Sequence, residues 1–175
     1  MAKDFLNLKI DTNQIHSYED FISLNDSNEM LTPLKTTFQY RENDKEEIKE
    51  ALEKHKALIV TGNPGVGKTR LTLESSYEYA KENNYKLLCV KNNNLELFDD
   101  LNSYTEEPGK YLFFVDDANE LIGLNHIMQL VTQKDKYEIK VIATVRDYVK
   151  KNVIMTMKKY TTPYIKGVQP LINEE

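Results

Sequence analysis

Apolar residues along this chain fall into two recurring patterns, short unbroken runs and stripes at helical spacing, and from about residue 44 onward the two alternate. The runs are Ala57-Leu58-Ile59-Val60-Thr61, Lys86 to Val90, Tyr111-Leu112-Phe113-Phe114-Val115, Lys140-Val141-Ile142-Ala143-Thr144-Val145 and, more weakly, Tyr164 to Val168. Each is short, rich in β-branched or aromatic residues and bounded by turn residues, which predicts a strand. Because most lack polar alternation, they predict strands buried on both faces, as in a parallel sheet. The stripes lie between them. Ile48, Ala51 and Leu52 recur in a helix that Asn43 or Asp44 can cap and that runs to His55. Leu73, Tyr77 and Ala80 mark a helix from near Lys68 to Lys81, stopped by Asn83-Asn84. A short helix carries Leu95, Phe98 and Leu101 behind the cap Asn92-Asn93-Asn94, and another carries Leu121, Leu124, Met128 and Val131. Strand and helix in alternation predict an α/β domain with a mostly parallel sheet between layers of helices.

Residues 1–37 break this rhythm. Phe5, Leu6, Leu8, Ile10, Phe21, Ile22 and Leu24 are scattered among Asn, Asp and Ser with no sustained period, so a small subdomain, a linker and an arm that packs on a partner all remain open. We therefore divide the chain into an N-terminal segment, 1–37, and a core, 38–175. Composition narrows the class without adding chemistry. At 175 residues the chain suits one domain, and 29% charged residues describe a water-soluble surface. A net charge of −5 disfavours a general nucleic-acid binder, and the pairs Lys150-Lys151 and Lys158-Lys159 read as solvated helix faces. A lone cysteine, Cys89, lies in an apolar run and predicts core packing. No apolar run is long enough for a bilayer and the first residues lack a signal-peptide core, so no membrane partner and a cytoplasmic location are expected.

The first strand runs directly into Gly62-Asn63-Pro64-Gly65-Val66-Gly67-Lys68-Thr69. Strand, glycine-rich turn, then Lys-Thr opening a helix is a phosphate-binding loop. Its glycines let successive amides converge on a phosphate, and the helix behind adds the positive end of its dipole. Lys68 is placed for the β/γ oxygens and the Thr69 hydroxyl for Mg²⁺. The most hydrophobic strand ends in Asp116-Asp117, and in a parallel sheet that end emerges on the same edge as the loop. A carboxylate there can share the metal with Thr69; the competing reading is a capping pair for the following helix. Arg146, closing the next strand, faces the same edge and can reach a γ-phosphate, the competing reading being a surface pair with Asp147.

With these residues in place, the chain resembles the nucleotide-binding core of a STAND-type P-loop NTPase, within the broader AAA+/NACHT-like group, and is most similar to bacterial novel-STAND proteins over about residues 38–175. Gly62 to Thr69 matches the Walker A motif, Leu112 to Asp117 the Walker B motif, and Thr144-Val145-Arg146 is similar to the family's Thr-Ser-Arg sensor. Phe38-Gln39-Tyr40-Arg41-Glu42 resembles the segment that leads into the first helix and touches adenine, with Tyr40 where glycine is usual. The resemblance implies a three-layer α/β/α fold with a mostly parallel five-stranded sheet in the order 5-1-4-3-2. It implies ATP and Mg²⁺ as ligands. Asn63, Pro64, Val66, Arg70 and Arg41 join the glycines, Lys68 and Thr69 in binding nucleotide. Thr69 and Asp116 are the metal ligands, and Lys68, Asp117 and Arg146 the catalytic groups. Asp117 stands where many hydrolysing relatives carry glutamate, one methylene longer. A lid and sensor domains follow the core in such proteins, and Val168 to Leu171 resembles the entry to that lid, so the expected unit is a core cut before it.

The implied function is a nucleotide-operated switch that hydrolyses ATP, self-associates through its core and serves signalling or antiviral defence. The alternatives are a nucleotide-binding scaffold with negligible turnover and a helicase-loader-like ATPase. A GTPase is disfavoured because Thr132-Gln133-Lys134-Asp135 is out of register for the guanine motif.

Overall fold

The computed structural model describes residues 14–26, 41–133 and 135–170. In chain order they form β1 (Ile15–His16), α1 (Tyr18–Asp26), α2 (Glu42–Lys54), β2 (Ala57–Gly62), α3 (Lys68–Asn83), β3 (Lys86–Val90), α4 (Phe98–Tyr104), β4 (Lys110–Val115), α5 (Leu124–Val131), β5 (Glu138–Arg146), α6 (Lys150–Lys158) and β6 (Tyr164–Gly167). The boundary expected at 37/38 and Phe38, Gln39 and Tyr40, expected to lie in the segment that touches adenine, are outside the described residues.

One sheet organises all of this, in the order β1-β3-β4-β5-β2-β6. Numbered from the phosphate-loop strand, the five parallel strands run 5-1-4-3-2, as the resemblance implied. The count is corrected from five to six. Ile15 and His16 pair antiparallel with Val90 and Cys89 and cover part of the β3 edge. Unpaired backbone at a sheet edge invites further pairing, so even a two-residue strand has a place there.

Alternation explains why the strand runs look uniformly apolar. Tyr111, Phe113 and Val115 of β4 enter one core with Leu124, Ile127, Met128, Val131, Val153 and Met157 from α5 and α6. Leu112 and Phe114 enter the other, with Ile48, Ala51 and Leu52 of α2 and Leu71, Leu73 and Tyr79 of α3. Both sides of the strand are therefore buried, and neither can be polar. Phe21 of α1 is fully buried in this second core, edge-on to Phe114 with ring centroids 5.4 Å apart. Residues 14–26 thus pack on the chain's own core and sheet edge. Lys140 is a charged residue inside β5; it is buried, donates to the Leu52 carbonyl at the end of α2 and lies 5.6 Å from the Tyr79 ring centroid. A cation at a helix C-terminus, over an aromatic face, is one arrangement in which such burial is tolerable.

Three helix starts differ from expectation. Helix α2 begins at Glu42 behind Arg41, so Asn43 and Asp44 lie inside its first turn and do not cap it. Asn92, Asn93 and Asn94 do not cap α4; the Asn92 side chain donates to Asn94 Oδ1 and accepts from the Asn94 amide, Asn93 Oδ1 accepts from the Leu95 amide, and α4 begins at Phe98. Asparagine offers its own backbone an alternative to the helix, and here the turn wins. Helix α5 begins at Leu124 behind Gly123, so Leu121 precedes it and Asp116-Asp117 do not cap it. Among the described residues no helix is long and apolar enough to cross a membrane.

Candidate functional site

The loop from β2 to α3 is shaped at its glycines. Gly65 and Gly67 have φ of 81° and 86°, in the left-handed region that a Cβ resists, and Gly67 sits immediately before the first turn of α3. The α3 N-terminus therefore opens onto the C-terminal edge of the sheet. Asn63, Pro64 and Gly65 are exposed there, and Val66 is half-buried. Arg70 follows in the first turn, close enough to Tyr18 to act on its phenol electrostatically.

Lys68 is 7% exposed, and its ammonium donates to the Asn63 carbonyl across the loop at 2.8 Å. Burial lowers its pKa. Asp117, Asp116 and Asp147 pull the other way, and Arg146 adds to the lowering, so these four charges surround the lysine. A buried cation of this kind favours any ligand that brings negative charge to it.

Strand β4 delivers the acids. Asp116 is 7% exposed, and its Oδ1 accepts from Thr69 Oγ1 at 2.9 Å and from Thr144 Oγ1 at 2.9 Å. The first of these joins the head of α3 to the end of β4 over the intervening strand β5. Burial raises the Asp116 pKa and the neighbouring Asp117 raises it further, while both hydroxyl bonds and Lys91 oppose the rise. Asp117 turns the chain at φ 46°, its amide donating to Thr144 Oγ1 at 2.9 Å, and the Thr144 carbonyl receives the Ala118 amide. Thr144 thus braces the whole acidic turn. Sequence reading placed it in the sensor resemblance without that role, although a hydroxyl midway along an apolar strand was the available signal.

Arg146 closes β5. It neither pairs with Asp147 nor lies buried: its Nη1 donates to the Tyr148 hydroxyl at 3.1 Å, while Asp147 pairs with Lys150 at 2.9 Å. Arg41 is placed differently. It is 6% exposed, and its guanidinium is occupied by the Val66 carbonyl, the Gln169 carbonyl and Asp44. Gly62 to Thr69, Asp116, Asp117 and Arg146 therefore converge on one edge, with Arg41 behind the loop. Thr144, Asp147 and Lys91 join them, residues that sequence reading did not assign.

Two solved structures share this architecture. PCH-2 of C. elegans superposes with a TM-score of 0.51 at 18% identity over 79% of this chain and 46% of its own. RuvB, the Holliday junction branch migration motor of Thermotoga maritima, gives 0.51 at 19% identity over 74% of this chain and 45% of its own. At such identity the likeness is one of fold, and the chain spans about half the length of either protein. A search of curated proteins returned no match. Residues 40–168 match the sequence-family model of novel STAND NTPase 3, and the chain belongs to that family of nucleotide-binding NTPases.

Proposed function

We propose that this core binds ATP with Mg²⁺ at the carboxyl edge of its sheet and hydrolyses it, acting as the nucleotide-operated switch of a signalling or defence protein. The observation that carries the reading is the 2.9 Å contact between Thr69 Oγ1 and Asp116 Oδ1, which brings a hydroxyl and a buried carboxylate from separate elements to one point beside Lys68. Oxygen donors of this kind fit a hard divalent cation, and Thr69 and Asp116 would hold it. Bound there, Mg²⁺ would neutralise charge on the phosphate oxygens.

The remaining chemistry falls to the chain. Gly65 and Gly67 amides cradle phosphate oxygens, and the Lys68 ammonium exchanges the Asn63 carbonyl for the β/γ oxygens. Arg146, exposed enough to turn from Tyr148, reaches the γ-phosphoryl and stabilises its developing charge. Asp117 accepts a hydrogen bond from the attacking water and orients it. The water oxygen bonds to the γ-phosphorus as the β–γ bridging bond breaks, and ADP and phosphate leave. Each electrostatic contact made in the transition state supplies about 3 kcal/mol. Assembly through the core is supported by Leu95 and Ile122, exposed on loops at this same edge, and by Phe98, exposed at the start of α4.

Phosphate release and calorimetric binding of Mg-ATP, compared between the wild type and Lys68→Ala, test the reading. Binding heat in the wild type and a fall in turnover of about 10²-fold or more in the variant are expected. A second reading, a nucleotide-binding scaffold, is favoured by the short acid Asp117 and by the engagement of Arg146 with Tyr148. Binding with equal background turnover in both proteins would select the scaffold, and absence of binding would remove both readings.

A further inference from the structure

Arg41 is a buried cation whose bonds go to backbone on two separate segments. Its Nη2 donates to the Val66 carbonyl in the phosphate loop at 2.6 Å and to the Gln169 carbonyl beyond β6 at 3.0 Å. Its Nη1 donates to Asp44 Oδ2 at 3.2 Å. The segment beyond β6 also touches the loop directly. The Val168 amide donates to the Thr61 carbonyl at 2.8 Å, and a Cβ placed on Gly62 would lie 2.7 Å from the Val168 carbonyl oxygen. So the Val168 peptide lies against the base of the loop, with no room for a side chain at Gly62.

A trans peptide is planar, with its C=O and N–H pointing in opposite directions. A guanidinium that draws the Val66 carbonyl to one side therefore aims the Gly67 amide to the other. Gly67 is the residue before the first turn of α3, and its amide has no acceptor within the helix. A planar fork with five donors can serve two carbonyls and a carboxylate at once; an ammonium on a flexible stem cannot hold that geometry.

We propose that Arg41 is the positioning residue of the phosphate loop, setting the Val66–Gly67 peptide for phosphate and, through the same nitrogen, tying occupancy of the loop to the segment Gly167–Gln169. This rests on the reading that the loop takes a nucleotide. It differs from a contact between Arg41 and the ligand. It differs also from a simple staple between α2 and β6. That staple is already provided by Lys166, which pairs with Asp44 at 2.9 Å and also with Glu47, itself bonded to the Tyr164 hydroxyl at 2.8 Å.

The test is amide hydrogen exchange of the full chain, with and without saturating Mg²⁺ and a nonhydrolysable ATP analogue, alongside the analogue's affinity. Wild type, Arg41→Lys, Arg41→Ala and Lys166→Gln are compared. In the wild type the analogue should slow exchange at Gly65 to Thr69 and, about tenfold or more, at Val168. Both Arg41 variants should bind the analogue at least about tenfold more weakly. At saturation they should protect the loop and leave Val168 unchanged. Lys166→Gln, which weakens the staple and leaves both carbonyl bonds, should behave as the wild type. Arg41→Lys keeps the charge and the bulk of the stem, so it reports on the geometry should Arg41→Ala fail to fold. Loop protection without any change at Val168 in the wild type would overturn the inference alone. So would Arg41→Lys matching the wild type, or Lys166→Gln matching the Arg41 variants. No protection of the loop in the wild type would remove the nucleotide reading, and this inference with it.

Discussion

Asp116 is 7% exposed, accepts two hydroxyl hydrogen bonds on one oxygen and has a second acid as its chain neighbour. Burial first, and Asp117 second, raise its pKa, so in the absence of metal the folded protein holds a proton that the unfolded chain gives up. The sign follows directly. This contribution to stability is fully present below the ordinary carboxylate range and is lost as pH rises through the raised Asp116 value. Asn at 116 keeps an acceptor for Thr69 and Thr144 but cannot ionise. Asp116→Asn should therefore melt higher than the wild type at neutral pH, by about 1 kcal/mol or roughly 3 °C, with the gap closing toward acid pH. On the proposed reading it should also lose the stabilisation that Mg-ATP would give the wild type. Thermal melts across pH, with EDTA and then with Mg-ATP, check both halves. A metal-free gap that does not change with pH would show that the buried charge is not what separates the two proteins. On the proposed reading, the acid that would hold the metal is expected to weaken the metal-free fold, a trade common at functional sites.

At the scale of elements, α1 shows how a segment can be integral without announcing itself in sequence. Phe21 is fully buried against Phe114, and Tyr18 stacks on Tyr77 of α3 at 4.1 Å while donating to Glu74. Truncating a buried aromatic leaves a cavity that its surroundings fill only in part. Phe21→Ala should cost about 3–4 kcal/mol, or roughly 10 °C in melting temperature, measured by calorimetry. A loss below about 1 kcal/mol would mean that the arm is only loosely docked. The family match begins at residue 40, so this arm lies outside it. It is also where sequence reading was weakest, because a nine-residue helix and a two-residue strand are too short to establish a period. The strands β2, β4 and β5 were legible for the opposite reason: burial on both faces removes polar residues and leaves an unbroken run. Helix starts were less so. Asn92 to Asn94 satisfy one another and Gly123 opens α5, outcomes decided by local side-chain bonds that resemble caps in sequence. That Lys68, Thr69 and Asp116 meet at one edge was readable from spacing and strand order. The burial of Arg41 was not, because its acceptors are backbone carbonyls 25 and 128 residues away.

For the whole molecule, strand order decides which groups can meet. The phosphate-loop strand β2 lies beside β5, and β5 separates it from β4, the strand that carries the acids. Any link from the loop to those acids must therefore pass over β5, and Thr144 stands at that crossing. It is fully buried, donates a hydrogen bond to Asp116 and accepts one from the Asp117 amide, so one hydroxyl sets the carboxylate facing Thr69 and the turn carrying Asp117. On the proposed reading, Thr144 acts through these two acids and not on the nucleotide. Its removal should accordingly divide the kinetic constants. In Thr144→Val, similar in volume but without the hydroxyl, the Asp117 amide loses its acceptor and Asp116 keeps one donor of two. Binding through the loop glycines and Lys68 survives, so KM should stay within about threefold of the wild type. Turnover should fall about tenfold to a hundredfold, below the loss expected for a group that touches the reacting phosphoryl directly. Thr144→Ser restores the hydroxyl and should recover most of that loss. Equal losses in Ser and Val would point to the packing of β5 and away from the hydroxyl. A rise in KM with turnover unchanged would place Thr144 in ground-state binding. Steady-state phosphate release over a range of ATP concentrations, on folded protein verified by its melting curve, separates these outcomes.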